Sequence, residues 1–431
     1  MFSVSDLDSK NNSRTNLVNF QGLDVDVISY LTSNVRELEE GEGGWILRRC
    51  ALQGALVELL PESRAAFVCF NRPLVRFSPP SLVRKVNRVG KEYLSYEGLS
   101  RCGNVWVCPH CSPRVSEVRR KEIEQAVRSW RGERYGAARD ASYSSLSGKE
   151  LRLILFTVPH QRFDGLESLL DRFKQAFDWM KWCRSYKSLC EQMGLFGTIS
   201  VSEVMYGEHG WHPHMHAIWF FDAGEVNDGK LSEELFKLWK DAAKRFELGE
   251  LSSEGFGVKD ADFVSAYLTK FGRPPQSRWY VEQELSKWYL KKGKKGSYTP
   301  FDLLEAALVN LYFQAGYSAE VSSSSGGTLG TLGSKPSLLR ESGKLFSEFA
   351  KAFKGRHQIQ WSRGLKKHFG LADVKDEEAV MQEEENENQI LYRFSLEEWG
   401  GLVKRGSRYE FLKLIGMRLT ERGNTGEELR G

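Results

Sequence analysis

The amino-acid sequence predicts an α/β fold of the α+β kind, with the strands of a sheet flanked by amphipathic helices. Residues 151–158 form a β-branched and aromatic run that ends at Pro159, which is typical of a buried strand. Residues 195–205 and 212–221 form two further strand-like runs separated by a short turn. Between these strands, apolar residues recur at helical spacing at Leu166, Leu169, Leu170, Phe173, Phe177 and Met180.

Three histidines mark the last of these strands. His212, His214 and His216 occupy alternate positions, in a chain that has eight histidines in all. Side chains on a strand alternate between its faces, so the three imidazoles project from one face. Neutral imidazole is the commonest protein ligand for divalent metals, and the row therefore predicts a metal site. The competing interpretation is a solvated strand edge that happens to be rich in histidine.

Glu203 is the expected carboxylate ligand of this site. If the two strands form a simple hairpin, Met205 pairs with His212, and Glu203 lies opposite His214 on the same face. A glutamate in this otherwise apolar and hydroxyl-bearing strand is costly to bury without a cation. The sequence thus predicts a metal held by Glu203, His214 and His216, with His212 as a further candidate.

The chain has seven cysteines, an odd number that fits reduced thiols and metal ligands better than a disulfide framework. Cys108 and Cys111 have the spacing at which two thiolates reach one tetrahedral zinc ion, and Cys102 can supply a third. The fourth ligand stays open among four candidates: His110, His160, Cys50 and Cys69. In the competing interpretation, Cys102 is a core residue and the other two cysteines form a turn without metal.

Basic residues cluster in two places where they could contact nucleic acid. Residues 113–134 form a predicted helix with an excess of arginine, including Arg119 and Arg120. Four lysines lie close to Trp288 and Tyr289: Lys291, Lys292, Lys294 and Lys295. Cations interleaved with aromatic rings suit single-stranded DNA. The competing interpretation of both segments is ordinary solvated surface.

A tyrosine and a lysine share one face of a predicted helix over residues 258–270, which follows another predicted helix over residues 231–246. Tyr267 and Lys270 are three residues apart. Alone, such a pair is most often a packed tyrosine with a lysine beside it. Next to a metal site, it suits phosphodiester cleavage, with Tyr267 as the nucleophile and Lys270 supplying positive charge.

Composition and pattern divide the chain into five predicted regions. They are a partly flexible N-terminal region (1–95), a domain that includes the cysteine segment 102–111 (96–275), a basic helical extension (276–317), a flexible linker (318–337) and a mainly helical C-terminal region (338–431). Within the first region, the pattern predicts a helix over residues 45–60 and a short strand over residues 65–70.

The overall composition is that of a globular protein with a near-neutral balance of charge. Hydrophobic residues make up 41% of the chain, and its formal net charge is +4. No apolar run is long enough to cross a membrane, and the first residues show no hydrophobic signal core. We therefore expect a soluble, cytoplasmic protein without a membrane partner.

Several of these motifs resemble those of one family. The resemblance covers the Gly-Trp-His-Pro-His-Met-His run at 210–216, the Tyr-x-x-Lys pair at 267–270, the Ser-Glu-Val run at 202–204, the cysteine segment at 102–111, and the segments at 299–304 and 353–365. These resemble the HUH endonucleases, and within them the rolling-circle replication initiator (Rep) proteins of bacterial and archaeal plasmids and phages. The resemblance runs from about residue 93 to the last helices.

The resemblance implies an HUH endonuclease core, with a central antiparallel sheet flanked by helices, the histidines on a middle strand and the tyrosine on a neighbouring helix. It implies Mg²⁺ or Mn²⁺ at the histidines and nicking of one strand at an origin. A 5′-phosphotyrosine intermediate and a free 3′ hydroxyl result. The implied partners are single-stranded or hairpin origin DNA, a host helicase and a single-strand-binding protein. Some members carry a glutamate four residues before the tyrosine for termination, where this chain has Phe263.

Three other functions fit parts of the pattern. A histidine-triad nucleotide hydrolase would use His214 or His216 as a nucleophile without a metal, although the chain length, the cysteines and the Tyr-x-x-Lys pair argue against it. A zinc-containing DNA-binding protein without catalytic activity would give Tyr267 a structural role. A transposase or conjugative relaxase of the same superfamily would share the chemistry but serve another biological role.

Overall fold

The computed structural model describes eight stretches of the chain: residues 30–31, 44–86, 92–132, 149–222, 226–260, 296–314, 336–381 and 388–425. The chain folds as two compact units. The first unit comprises Met1–Ser112, Leu303–Ser347 and Asp376–Gly431, and the second comprises Pro113–Asp302 and Glu348–Lys375. The predicted domain limits stay predictions.

Helices and strands are mixed along the described residues. The helices are α1 (Gly44–Leu59), α2 (Arg64–Phe67), α3 (Cys111–Trp130), α4 (Leu166–Trp182), α5 (Arg184–Gln192), α6 (Asp228–Arg245), α7 (Pro300–Gln314), α8 (Pro336–Ala352), α9 (Leu365–His368), α10 (Asp376–Ala379), α11 (Leu396–Arg405) and α12 (Arg408–Thr425). The strands are β1 (Ser81–Val86), β2 (Glu92–Glu97), β3 (Glu150–Thr157), β4 (Leu195–Gly207), β5 (Gly210–Phe221), β6 (Phe256–Asp260), β7 (Ile359–Trp361) and β8 (Asn388–Arg393).

The second unit is built on a five-stranded antiparallel sheet with the order β6-β3-β5-β4-β7. The histidine-bearing strand β5 is therefore the middle strand of the sheet. This arrangement confirms the α+β class and the expected position of the histidines. The predicted helices over 166–180 and 231–246 are also confirmed, as α4 and α6.

The two faces of β5 carry different side chains, as a two-residue period requires. Met215, Ala217, Trp219 and Phe221 join the core formed with α4, α5 and α6. On the opposite face, Ile218 and Phe220 pack in a second core with residues from the end of α3, including Trp130. The same opposite face carries the three histidines nearer the start of the strand. The face thus changes from polar to apolar along β5.

The first unit contains a smaller antiparallel sheet with the order β2-β1-β8. Helix α1 confirms the predicted helix over residues 45–60. Tyr96 of β2 is fully buried and its hydroxyl donates a hydrogen bond to the carbonyl oxygen of Arg408. This bond ties the start of α12 to the small sheet.

Two predicted elements differ from the structure. The strand predicted over residues 65–70 is wrong, because this stretch contains the short helix α2, where the side chain of Ser63 accepts a hydrogen bond from the N–H of Ala65. The helix predicted over residues 258–270 begins wrongly, because residues up to Asp260 form β6. Val258 pairs with Ile154 of β3. Hydrogen bonding at the edge of the sheet therefore decides the structure of residues 258–260, although their apolar spacing suggested a helix.

Several predicted features lie outside the described residues. Residues 261–295 include Tyr267, Lys270, Phe263 and the four lysines at 291–295, and residues 315–335 include most of the predicted linker. In the part of the chain that the structure describes, no helix is both long and apolar enough to cross a bilayer.

Candidate functional site

A β-hairpin formed by β4 and β5 carries the predicted metal ligands. In its register, Met205 pairs with His212 and Glu203 pairs with His214, which confirms the pairing expected from the sequence. The hairpin closes where Gly207 pairs with Gly210. Paired residues of neighbouring strands project from the same face, so the glutamate and the histidines are held side by side by backbone hydrogen bonds.

The closing turn of the hairpin requires glycine at position 210. Gly210 has a φ of +90°, and a Cβ atom there would lie 2.9 Å from Cα of Arg162. Any other residue would therefore be strained and would also push against the loop after β3. The glycine thus keeps this loop in contact with the start of the histidine strand.

The ligand atoms of Glu203, His214 and His216 converge. His214 Nε2 lies 3.0 Å and His216 Nε2 lies 3.9 Å from Glu203 Oε2, and the three ligand atoms all lie within 4.8 Å of one another. The carboxylate is buried, with 6% of its surface exposed. Two imidazole nitrogens and one carboxylate oxygen at these distances match the ligand set of a divalent cation with open coordination positions.

His212 belongs to the same row but contacts a fourth histidine. Its Nδ1 lies 3.2 Å from Nδ1 of His160, which follows β3 in the sequence. Burial, and then the charges of His214 and His160, lower the pKa of His212 to about 3, so this imidazole stays neutral at physiological pH. Burial also lowers the pKa of His160. The metal-ligand atoms that converge do not include those of His212.

Sequence reasoning assigned His160 only as a candidate zinc ligand, and this assignment is wrong because His160 lies beside the histidine row. The pairing of β3 with β5 in the folded sheet explains its place: Thr157, at the end of β3, pairs with His214, and His160 is three residues further along. The loop that follows a strand next to β5 must start near the row.

Glu348 of α8 is a second residue that sequence reasoning missed. The indole N–H of Trp211 donates to its Oε2 at 3.0 Å, and the backbone N–H of Leu166 donates to its Oε1 at 2.9 Å. One carboxylate thus connects the first residues of β5 to the first turn of α4. A glutamate in a mixed-charge helix gives no sequence signal for such a role.

A separate cluster joins four cysteines in the first unit. Cys69, Cys102, Cys108 and Cys111 place their Sγ atoms within 4.8 Å of one another, and all four residues are buried. The Sγ atom of Cys69 lies 3.3 Å from that of Cys111 and 3.4 Å from that of Cys108, and Cys102 lies 3.7 Å from Cys111. The structure therefore brings together the three predicted cysteines and one of the open candidates.

The converging ligand atoms include none of the other three candidates for the fourth position, His110, His160 and Cys50. His110 stacks on the ring of Phe70, with ring centroids 4.3 Å apart, and its Nε2 lies 3.2 Å from Oε1 of Gln53. Burial lowers the pKa of His110 well below its usual value. Within the cysteine cluster, burial raises the pKa of Cys108, whereas hydrogen bonds from the neighbouring thiols lower the pKa of Cys111.

The two arginines predicted to contact DNA are held by carboxylates of their own helix. Arg119 is buried and donates to Glu122 at 2.6 Å, and Arg120 forms ion pairs with Glu117 and Glu124. Arg119 also donates to the carbonyl oxygen of Val374. This pairing argues against phosphate contact by these two arginines. The four lysines at 291–295 lie outside the described residues, so their contact with DNA stays a prediction.

Two known proteins are similar to parts of this chain. Protein rep of Streptomyces lividans is 24% identical over 337 residues, which are 65% of this chain and 66% of that protein. Neomycin resistance protein of Streptomyces cyanogenus is 26% identical over 182 residues, which are 34% of this chain and 38% of that protein. The chain therefore spans just under two thirds of the first relative and just over a third of the second. No family model and no solved structure matches the chain.

Proposed function

We propose that this protein is a plasmid Rep protein that nicks origin DNA and initiates rolling-circle replication. The observation that carries the proposal is the convergence of Glu203, His214 and His216 on the middle strand of the antiparallel sheet. Two further features support it: the Tyr-x-x-Lys pair at 267–270 and the similarity to Protein rep of Streptomyces lividans.

The three converging side chains fit Mg²⁺ or Mn²⁺. Both ions accept carboxylate oxygen, and Mn²⁺ also accepts imidazole nitrogen readily. A cation held there supplies Lewis-acid polarisation of a phosphodiester. The chain's contribution is to fix the ligands before DNA binds. The backbone pairing of β4 with β5 holds Glu203 against His214, and the sheet on either side restricts both strands.

Tyr267 is the proposed nucleophile. Its phenolic oxygen forms a bond to the scissile phosphorus while the bond from phosphorus to the 3′ oxygen breaks, and the 3′ oxygen gains a proton. One DNA end is then linked to the tyrosine through its 5′ phosphate, and the other ends in a 3′ hydroxyl. A free phenol has a pKa of about 10, so nearby positive charge from Lys270 would favour the reactive phenolate.

The released 3′ hydroxyl would prime synthesis by a host polymerase, with a helicase and a single-strand-binding protein as further partners. The energy of the broken linkage stays in the phosphotyrosine, so a second transfer can rejoin the strand without ATP. These roles place the protein in the cytoplasm with its plasmid.

A denaturing-gel assay tests the proposal directly. Wild-type protein is incubated with Mn²⁺ and labelled single-stranded DNA that tiles its own replicon. We expect a protein band that carries covalent DNA, and a matching nicked product with a 3′ hydroxyl. Tyr267→Phe should abolish the band, whereas Tyr280→Phe, in the same stretch of sequence, should retain it.

Other outcomes would overturn the proposal. A covalent band that persists in Tyr267→Phe would assign the nucleophile elsewhere. No band with any tiled DNA and either metal, together with hydrolysis of adenosine phosphoramidates, would favour the histidine-triad alternative. Adducts only with transposon ends or a transfer origin would assign the protein to a transposase or relaxase role.

A further inference from the structure

The cysteine cluster of the first unit forms a site that the nicking chemistry does not use. Its four thiols come from two segments: Cys69 follows helix α2, and Cys102, Cys108 and Cys111 lie at or before the start of α3. We propose that these four cysteines bind one structural zinc ion, with Cys69 as the fourth ligand.

The distances between the sulfur atoms fit a single tetrahedral ion. With Zn–S bonds of about 2.3 Å, the sulfur atoms of a tetrahedron lie about 3.8 Å apart. The closest pairs in the cluster are 3.3, 3.4 and 3.7 Å apart, and all four sulfur atoms lie within 4.8 Å of one another. All four cysteines are free thiols, so no sulfur is engaged in a disulfide.

Two features of the cluster stabilise negative charge on sulfur. The backbone N–H of Cys111 points at Sγ of Cys108 at 3.4 Å, and Cys111 is the first residue of the 20-residue helix α3. The positive end of a helix dipole stabilises negative charge, and N–H groups directed at sulfur are typical of zinc knuckles. The turn that leads from Cys102 to Cys108 is fixed by Asn104, whose Oδ1 accepts from the N–H groups of Trp106 and Val107.

Cys69 is held in place by contacts that do not involve the other cysteines. Its carbonyl oxygen accepts a hydrogen bond from the amide of Gln53, which is buried in α1. The next residue, Phe70, has a φ of +59°, and its N–H donates to the carbonyl oxygen of Ser100 at 2.9 Å. An unusual backbone conformation is thus maintained directly beside the cluster, and it brings Cys69 to the strand end that leads to Cys102.

The burial of all four ligands assigns the ion a structural role. A catalytic zinc site keeps one coordination position for water or substrate, whereas a structural site has four protein ligands and excludes solvent. Here the ion would fasten the turn after α2 to the segment that begins α3. Both belong to the first unit, which would therefore depend on zinc for its stability.

Metal analysis of the full-length protein provides the first test. Wild-type protein purified without added metal should contain one zinc per chain. Cys69→Ala should contain none or lose it to a mild chelator, whereas Cys50→Ala, which removes another buried cysteine of the same unit, should retain it. A wild-type protein without zinc, or a Cys69→Ala protein that keeps zinc as tightly as wild type, would overturn the proposal.

Cobalt substitution provides a second test that does not require Cys69→Ala to fold. Co²⁺ bound to four thiolates gives intense tetrahedral d–d bands and strong thiolate-to-metal charge transfer. Cys69→His keeps a zinc ligand, so it should still bind one ion, with weaker charge transfer and d–d bands at shorter wavelength. Identical cobalt spectra for wild type and Cys69→His would show that Cys69 is not a ligand. A thiol count below seven in the denatured, unreduced wild type would indicate disulfides instead.

Discussion

The histidine row with Glu203 and the cysteine cluster both bring candidate metal ligands together, but they differ in how exposed those ligands are. Each joins metal-ligating side chains from two segments of the chain. The row uses two neighbouring strands and leaves His214 and His216 partly exposed, at 10% and 13% of their side-chain surface. The cluster uses four thiols, all buried. For the ions proposed at the two sites, this difference leads us to expect an exchangeable ion with open coordination positions at the histidines and an enclosed ion that exchanges slowly at the cysteines.

The strongest expected contrast is the response to a chelator. Brief treatment with EDTA should abolish DNA nicking completely, because hard divalent cations bind weakly to a site with three protein ligands. Added Mn²⁺ should restore activity. The zinc content and the unfolding temperature should stay unchanged, since four buried thiolates release their ion slowly. If EDTA removed zinc and unfolded the protein at the same rate as it stopped nicking, the two sites would not differ in how fast they release their ions, and the expected contrast would be contradicted.

Substitution of the proposed metal ligands Glu203 and His214 should lower nicking activity much more than it lowers stability. We expect Glu203→Gln and His214→Ala each to lower the nicking rate by about a thousandfold, because loss of a ligand removes several kcal/mol of transition-state stabilisation. Glu208→Gln and His209→Ala are matched controls, since both residues are exposed in the turn of the same hairpin. The measurement is single-turnover nicking of the identified origin strand.

Two outcomes would contradict this expectation. Nicking within tenfold of wild type in Glu203→Gln would remove the carboxylate from the metal site. An equal loss of activity in the turn variants would indicate a general effect on the hairpin instead of a loss of ligands.

Loss of the hydrogen bond between Trp211 and Glu348 should have a moderate effect on stability and on nicking. Trp211→Phe removes the hydrogen bond to the carboxylate of Glu348, and hydrogen bonds to charged groups contribute about 2 kcal/mol. We expect the free energy of unfolding to fall by this amount and nicking to slow by roughly tenfold, as the start of β5 loosens. Trp182→Phe is the control, because Trp182 is 77% exposed. Urea denaturation of the three proteins checks the stability difference, and equal stabilities would exclude the role assigned to Glu348.

The smallest expected effect at neutral pH is that of His212, because its effect on stability grows only as the pH decreases. The pKa of His212 is about 3 in the folded protein, below its usual value of 6.5, so the unfolded chain binds a proton between these values that the folded chain does not. Stability should therefore fall as the pH decreases from 7 towards 3. Between pH 7 and pH 5, this residue should account for up to about 2 kcal/mol.

His212→Asn should reduce this pH dependence, and His209→Asn should not. Urea denaturation at pH 7 and pH 5 gives the comparison. A His212→Asn protein that loses as much stability as wild type over this range would show that other groups produce the effect.

The histidine row was largely predictable because its geometry is local. A two-residue period and a short turn were enough to place Glu203 opposite His214, since pairing register in a hairpin follows from the sequence itself. The amphipathic helices α4 and α6 were predictable for the same reason. His160 and Glu348 were not assigned to the row, because each reaches it from a segment that only the tertiary fold brings close.

The cysteine cluster shows the limit of local patterns. The spacing of Cys108 and Cys111 predicted a zinc site, but four residues were candidates for the last ligand position. Cys69 lies in a stretch with the composition of a strand, yet Ser63 starts a short helix there and Phe70 adopts a left-handed conformation. Long-range contacts to Gln53 and Ser100 determine that conformation, and no sequence period encodes them.

Anomalous scattering from crystals soaked in Mn²⁺ would test both sites in one measurement. Data collected at the zinc and manganese absorption edges distinguish the two ions. We predict a manganese peak between Glu203, His214 and His216, and a zinc peak within bonding distance of Cys69, Cys102, Cys108 and Cys111. A manganese peak elsewhere, or an empty position between Glu203 and the two histidines at saturating Mn²⁺, would contradict the proposal that these residues form the metal centre for DNA nicking.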